Sequence, residues 1–190
     1  MLGQVDLVMG SFSKTFASNG GFVCVRNRAL KEYLRFFSPS TTFSNALSPA
    51  QAATVLKAFE IVESAEGESL RGDLMRNVLA LRGALDDAGL GYYGEPSAIV
   101  CVKTGAEGLA RLVSRRLPSL GLLANLVEYP AVPKGAARFR MQVMARHTPD
   151  HIARAVGIIA QAKAAAQEEF IAHGAPQAEP EPEPGDLVAA

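Results

Sequence analysis

Three apolar runs in the second half of the chain limit its fold more than any other feature: SAIVCVK (97–103), LLANLV (122–127) and ARFRMQVM (137–144). Each has strand length, and helical stretches separate or follow them, with one helix predicted over 105–117. Strands alternating with helices pack as a sheet covered by a helical layer, so this region reads as an α+β unit. The last helix is signalled by Thr148 as N-cap and Pro149 at the first helical position. It carries Ile152, Val156 and Ile159 on one face and must end by Gly174.

Upstream, SPAQ (48–51) places Ser48 as N-cap, Pro49 at the first helical position and Gln51 three residues after the cap, which starts a long helix. Val55, Leu56, Phe59 and Val62 recur at helical spacing. Gly67 with its polar neighbours is predicted to break this helix from a second one ending near Gly89. Two strand-like runs come first, VDLVMG from residue 5 and GGFVCVR (20–26), and their short connection predicts antiparallel pairing. Residues 28–37 read as a short helix. The opening strand leaves no room before it for a partner strand or helix, which is the pattern expected of a truncated domain.

Composition bounds the class only broadly. With 48% hydrophobic residues, 20% charged and a formal net charge of zero, the chain reads as an ordinary soluble protein without a basic surface for nucleic acid. It contains no apolar run long enough for a transmembrane segment, and MLGQVDLVMG lacks the features of a signal peptide, so a cytoplasmic location is expected. Cys24 and Cys101 sit in the apolar runs GFVCV and AIVCV and are expected as reduced core cysteines. APQAEPEPEPGDLVAA has almost no apolar mass to bury and is expected to be disordered.

Chemistry concentrates in GSFSKTFASNGG (10–21), which sets Lys14 among hydroxyls and small residues just after a strand. A phosphate-binding P-loop would need glycine at positions 8 and 13, where Val8 and Ser13 stand. Two readings remain open on spacing alone. One is a solvated loop lysine; the other is a lysine that holds pyridoxal phosphate (PLP), with Ser11 and Ser13 donating hydrogen bonds to the phosphate.

GSFSKTFASNGGFV resembles the lysine segment of the α-oxoamine synthases, a branch of the fold-type I PLP enzymes, with Gly10, Ser11, Lys14 and Gly20–Gly21 on the family pattern. TTFSNALSPA (41–50) is similar to the family's dimer-interface segment, and there the resemblance makes Ser44 the hydroxyl that reaches the phosphate of the neighbouring subunit. YPAVPKGAARFRMQVMARHTPDHI (129–152) is similar to the C-terminal signature, in which Arg140 corresponds to the arginine that grips the amino-acid carboxylate. A guanidinium suits that task because its planar fork matches a carboxylate in two hydrogen bonds. Arg138 and Arg140 alternate with Phe139, so both point to one face of their strand and either can be the clamp.

Other residues have plainer readings. His147 and His151 stand four apart, but a helix start lies between them and no further ligand is near in sequence, so no metal site is expected. Glu128 and Tyr129 are read as loop residues near the substrate mouth, and Asp86 and Asp87 as a solvated helix face.

The resemblance implies a PLP-dependent condensation of a small amino acid with an acyl-CoA to give an aminoketone, with Lys14 as cofactor lysine and as base for the Cα proton, in a homodimer with shared active sites. An Asn-Leu pair in GLLANLVEYPAVPKG and the FSK around Lys14 are similar to serine palmitoyltransferases, and VPKGAARFRMQVMARHTP is closer to aminoketobutyrate ligases. The expectation carried forward is serine or a similar amino acid with a long-chain acyl-CoA. Family members are roughly twice as long, and their N-terminal part supplies the residue stacked on the PLP ring and the aspartate that pairs with its pyridine nitrogen. The expected architecture is therefore the trailing part of a fold-type I large domain with its connecting helix (1–65), a small α+β domain (66–173) and a disordered tail (174–190). Two other readings stand beside it: an aminotransferase or aldolase of the same fold, or a non-catalytic fragment or partner subunit.

Overall fold

The computed structural model describes residues 2–172; the expectation of a disordered tail at 174–190 lies outside them. The chain divides into two compact units, one through Glu68 and one from Ser69.

The first unit opens with the expected hairpin. Strands β1 (Leu7–Ser11) and β2 (Gly21–Val25) pair antiparallel, with Leu7 opposite Val25 and Ser11 opposite Gly21. Helix α1 (Arg28–Phe37) is capped by Asn27, whose Oδ1 accepts from the amide of Ala29 at 2.8 Å, and the four-residue α2 (Pro39–Thr42) follows. Helix α3 (Pro49–Glu63) begins at the predicted cap. The Ser48 Oγ accepts from the Gln51 amide at 3.3 Å and the Gln51 Oε1 accepts from the Ser48 amide at 2.9 Å. This reciprocal pair satisfies two amides that a helix start otherwise leaves open.

The break after α3 falls at Ser64, not at Gly67. Ser64 takes extended backbone, and its Oγ accepts from the Gly67 amide at 3.3 Å, which starts α4 (Ala65–Asp87). Gly67 lies inside the first turn for a steric reason. A Cβ there would stand 2.2 Å from the Ile61 carbonyl oxygen and 2.8 Å from that of Val62, so only glycine lets the turn close against the end of α3.

The second unit holds a four-stranded antiparallel sheet in the order β3-β4-β6-β5: β3 (Tyr92–Tyr93), β4 (Ile99–Gly105), β5 (Asn125–Val127) and β6 (Ala137–Gln142). Helices α5 (Glu107–Arg116) and α6 (Pro149–Ala172) complete it. Val100, Val102 and Phe139 point from the sheet into a core closed by Val78 and Leu85 of α4, Val113 of α5 and Ile159 of α6. This is the α+β layer expected from the alternating runs. The start of α6 repeats the logic of Ser48, with a histidine in place of Gln51: Thr148 Oγ1 accepts from the His151 amide at 3.2 Å and His151 Nδ1 accepts from the Thr148 amide at 3.2 Å. Among the described residues no helix is long and apolar enough to cross a membrane.

Both cysteines depart from the core placement expected for them. Cys24 is exposed, because it stands in a two-stranded ribbon with too little packed over it to bury the whole strand. Cys101 is half-buried, because the alternation that turns Val100 and Val102 inward turns Cys101 to the opposite face, in register with Arg140.

Candidate active site

Lys14 lies on the loop between β1 and β2, and two phenylalanines fix that loop. Phe12, only 8% exposed, and Phe16 stand two residues to either side of Lys14. Their rings meet edge to face at 5.5 Å between centroids, and Phe59 of α3 lies 6.2 Å from Phe12 and 4.6 Å from Phe16. With both neighbours turned inward, the lysine between them is left exposed. Backbone bonds close the loop: the Phe12 amide donates to the Gly20 carbonyl at 2.9 Å and the Ser18 amide donates to the Phe12 carbonyl at 3.0 Å. Ser18 Oγ also donates to the Gln51 carbonyl at 3.2 Å, tying the loop to the first turn of α3. Ala17 holds a left-handed φ of +49°, a conformation that costs a residue with a Cβ on the order of 1–2 kcal/mol and persists here because these bonds surround it.

The two serines flanking Phe12 converge. Ser11 Oγ and Ser13 Oγ lie 2.7 Å apart, both exposed, and the Ser13 amide also donates to Ser11 Oγ at 3.3 Å. Ser44 sits elsewhere in the same unit, lining a cleft of about 390 Å³ with Asn19, Gly20, Gly21 and Gln51. The cleft is thus built on the far end of the Lys14 loop.

In the second unit, Arg138 and Arg140 share the outer sheet face and Phe139 is fully buried on the other. Their surroundings differ. The Arg138 guanidinium stacks over the Tyr93 ring at 4.1 Å from its centroid, and the Lys103 ammonium lies over the same ring at 4.6 Å. Arg138 Nε donates to the Ala136 carbonyl at 3.0 Å, while its Nη2 is buried without a hydrogen-bond partner. Arg140 is exposed, between Cys101 and Asn125 in the sheet register, and lines an open groove.

The loop that leads into β6 is held at both ends by α5. Arg111 grips the Glu128 carboxylate with Nε and Nη2, each at 2.9 Å, and the Glu107 Oε1 accepts from the Gly135 amide at 3.0 Å. The guanidinium keeps the Glu128 carboxyl below its ordinary range, and the carboxylate raises Arg111 in return. Glu107 and Arg111 carried no signal in the sequence, since their partners lie 28 and 17 residues away.

These features define a mixed helix-and-sheet chain with an outward lysine beside paired hydroxyls. The chain belongs to the aminotransferase class I and II family, whose profile matches residues 3–159. Within it the matched relatives are α-oxoamine synthases and their fold is that of the fold-type I PLP enzymes. The chain is 37% identical over 157 residues to the 2-amino-3-ketobutyrate coenzyme A ligase of Escherichia coli K12, an alignment covering 82% of this chain and 39% of the relative. It is also 37% identical over 157 residues to the 8-amino-7-oxononanoate synthase of Trichlorobacter lovleyi, covering 83% and 40%. A solved serine palmitoyltransferase from S. paucimobilis, with PLP and myriocin bound, superposes with a TM-score of 0.78 at 30% identity, covering 87% of this chain and 42% of that one. The chain thus spans about two fifths of the length of the relatives it matches.

PLP is the cofactor of this family, and the donor set of the lysine loop fits it. A phosphate needs donors placed together, which Ser11 and Ser13 provide at 2.7 Å from one another, and an aldehyde needs an accessible amine, which the exposed Lys14 provides in the same loop.

Proposed function

We propose that this chain is the C-terminal part of a PLP-dependent α-oxoamine synthase, which joins a small amino acid to an acyl-CoA and releases coenzyme A, and carbon dioxide where decarboxylation follows, to give an aminoketone. The observation that carries the proposal is the Lys14 loop, whose flanking phenylalanines are packed inward while Lys14, Ser11 and Ser13 face outward together. In this reading Lys14 holds the cofactor, and Ser11 and Ser13 donate hydrogen bonds to its phosphate. Ser44 serves the phosphate of a neighbouring subunit.

When bound, PLP supplies an electron sink for negative charge at the amino-acid Cα. The protein's own groups do the rest. Lys14 Nζ takes the proton from Cα when it is free to act as a base. Arg140 binds the substrate carboxylate with two guanidinium donors and so fixes which Cα bond is presented for cleavage. Of the two candidate arginines, Arg140 is favoured as the clamp because it is exposed, whereas Arg138 is already committed to the Tyr93 ring and the Ala136 carbonyl. Arg138 then shapes the same face beside it, over Tyr93. The loop held by Glu107 and Arg111 brings Tyr129 toward the substrate mouth in this reading.

The amino acid is proposed to be serine or a similar small one, with a long-chain acyl-CoA, on the strength of the Asn-Leu pair and the FSK around Lys14. A homodimer with shared sites belongs to the same reading and rests on the resemblance of residues 41–50, and a cytoplasmic location is proposed beside it from the sequence. So does the division into a large-domain part (1–65) and a small domain (66–173).

The test is a visible spectrum of the chain after addition of PLP, with and without borohydride, beside Lys14→Ala. A visible band above that of free PLP, trapped by reduction only when Lys14 is present, is the expected result. A band of equal strength in Lys14→Ala would refute the assignment.

A further inference from the structure

The second unit carries a groove of about 540 Å³ whose lining the lysine chemistry does not explain. It arises at the sheet edge. Among the described residues β5 pairs with β6 only through Arg138–Arg140, and beyond Arg140 a trough opens beside α6. Leu122, Leu123 and Met144 supply apolar walls, and two of them stand far into solvent, Leu123 at 88% and Met144 at 58% exposure. Exposed apolar side chains gathered around a concavity mark a place where something binds.

The charge of the groove narrows what that is. Arg140, His147, His151 and Arg154 line it, and among the described residues no acidic side chain does. In both histidines Nδ1 accepts from a backbone amide, at 3.3 Å from Met144 and 3.2 Å from Thr148. That bond leaves the proton of the neutral ring on Nε2, so each imidazole offers a donor there in either charge state. An apolar groove with a basic, donating rim calls for an acidic segment that also carries a few apolar side chains. The chain itself contains one. Residues 173–190, HGAPQAEPEPEPGDLVAA, hold Glu179, Glu181, Glu183 and Asp186, then Leu187 and Val188, with no lysine or arginine.

We propose that this groove is the docking site of the chain's own acidic segment, residues 179–188, with its carboxylates on the basic rim and Leu187 and Val188 against the apolar walls. Reach permits it. Along α6, Arg154 lies about 27 Å before Ala172 at 1.5 Å per residue. A proline-rich chain advances about 3.1 Å per residue, so running back from Ala172 it brings Glu181 to the level of Arg154 after about 28 Å, and Asp186 lies at about 43 Å, which leaves length for reversing direction near Gly174. Proline at 180, 182 and 184 narrows the conformations that docking has to give up, and it removes the amides an added strand would need. The segment is therefore held by its side chains and not as a further strand of the sheet. Each exposed ion pair contributes little by itself, but a tethered segment meets the groove at a high effective concentration, so several weak contacts suffice. The docking stands on the second unit and its own tail. Its consequence rests on the reading of Arg140 as the carboxylate clamp: the docked segment offers Arg140 carboxylates of its own, and a substrate carboxylate has to displace them.

The test is paramagnetic relaxation in the 190-residue chain, with a nitroxide attached through Ala189→Cys after Cys24→Ser and Cys101→Ser, neither of which removes a core side chain. With the nitroxide oxidised, the methyl signals of Leu123 and Met144 are expected to be lost, and to return when it is reduced. Neutralising the tail with Glu179→Gln, Glu181→Gln, Glu183→Gln and Asp186→Asn is expected to restore them without reduction, and none of these positions lies in the folded core. Arg154→Glu, at an exposed position of α6, and added salt are expected to restore them as well. Signals that survive the oxidised label, or a loss that neither the neutral tail nor Arg154→Glu relieves, would overturn the proposal. So would a loss seen only when labelled and isotope-enriched chains are mixed, since the groove would then hold a neighbour's tail. PLP takes no part in this readout. A docked tail beside a failed borohydride test at Lys14 keeps the groove assignment and sinks the cofactor reading, and the reverse pair of results sinks the groove alone.

Discussion

Replacing Phe12 by alanine is expected to release the loop that carries Lys14. The ring is 8% exposed and is surrounded by Phe16, Phe22 and Phe59 at 5.5, 5.5 and 6.2 Å between centroids. A buried phenylalanine removes roughly 200 Å² from water, which at about 25 cal/mol per Å² comes to about 5 kcal/mol as an upper bound. Measured losses for Phe→Ala in packed sites run at about 3–5 kcal/mol, and the lower end applies here because the cluster lies near the surface. The assay is amide hydrogen exchange at Phe12 and Ser18, whose amides donate to the Gly20 and Phe12 carbonyls and so report on loop closure. A local loss of about 3 kcal/mol accelerates their exchange by about two orders of magnitude. Phe12→Leu keeps most of the volume, and a cost under about 1.5 kcal/mol leaves exchange within roughly ten-fold of wild type. If Phe12→Ala changed exchange at these two amides by less than about three-fold, the claim that packing beneath the loop presents Lys14 would be wrong.

Two further perturbations probe other contacts. Gly67→Ala puts a Cβ 2.2 Å from the Ile61 carbonyl oxygen, where backbone has to move; a destabilisation of about 1–3 kcal/mol is expected in urea titration, and an unchanged midpoint would count against the close turn at Ser64. Glu128 has a depressed carboxyl pKa in the folded chain, so its pairing with Arg111 contributes above the ordinary carboxylate value of 4.5 and is lost as pH falls through the lower folded value. Protection of the 128–135 amides, taken relative to their intrinsic exchange rate at each pH, is therefore expected to fall on acidification in the wild type and to stay level in Glu128→Gln, with a weaker contrast at high salt because the pair is exposed to solvent.

What the sequence disclosed follows a physical division. Helix starts are written locally, so Ser48-Pro49-Gln51 and Thr148-Pro149 marked α3 and α6 to the residue. Strand alternation is also local, and it placed Arg138 and Arg140 opposite Phe139 before any coordinates. Two-residue β3 was missed because Tyr92-Tyr93 is too short to show a period. Burial depends on what covers a face, which a strand does not encode, and Cys24 and Cys101 were misplaced for that reason. Gly67 looked like a helix break because glycine commonly marks one, yet its job is to permit close approach of two turns. For the candidate site, the hydroxyls around Lys14 were visible, but not the role of Phe12 and Phe16, whose packing partner Phe59 lies more than forty residues away in α3. The pairing of Arg111 with Glu128 and the stacking of Arg138 on Tyr93 are long-range contacts without a sequence signature.

The central claim is that Lys14 is the lysine built to hold the cofactor. The chain has six lysines, at 14, 31, 57, 103, 134 and 163, which makes the claim open to direct mapping. Substoichiometric PLP followed by borohydride, protease digestion and mass spectrometry reads out which lysine has been modified. The account predicts that the pyridoxyl mass falls on the peptide containing Lys14, and that Ser11→Ala with Ser13→Ala lowers its yield by removing the phosphate's hydroxyl donors. Label spread evenly over the exposed lysines, unchanged by the serine substitutions, would contradict it.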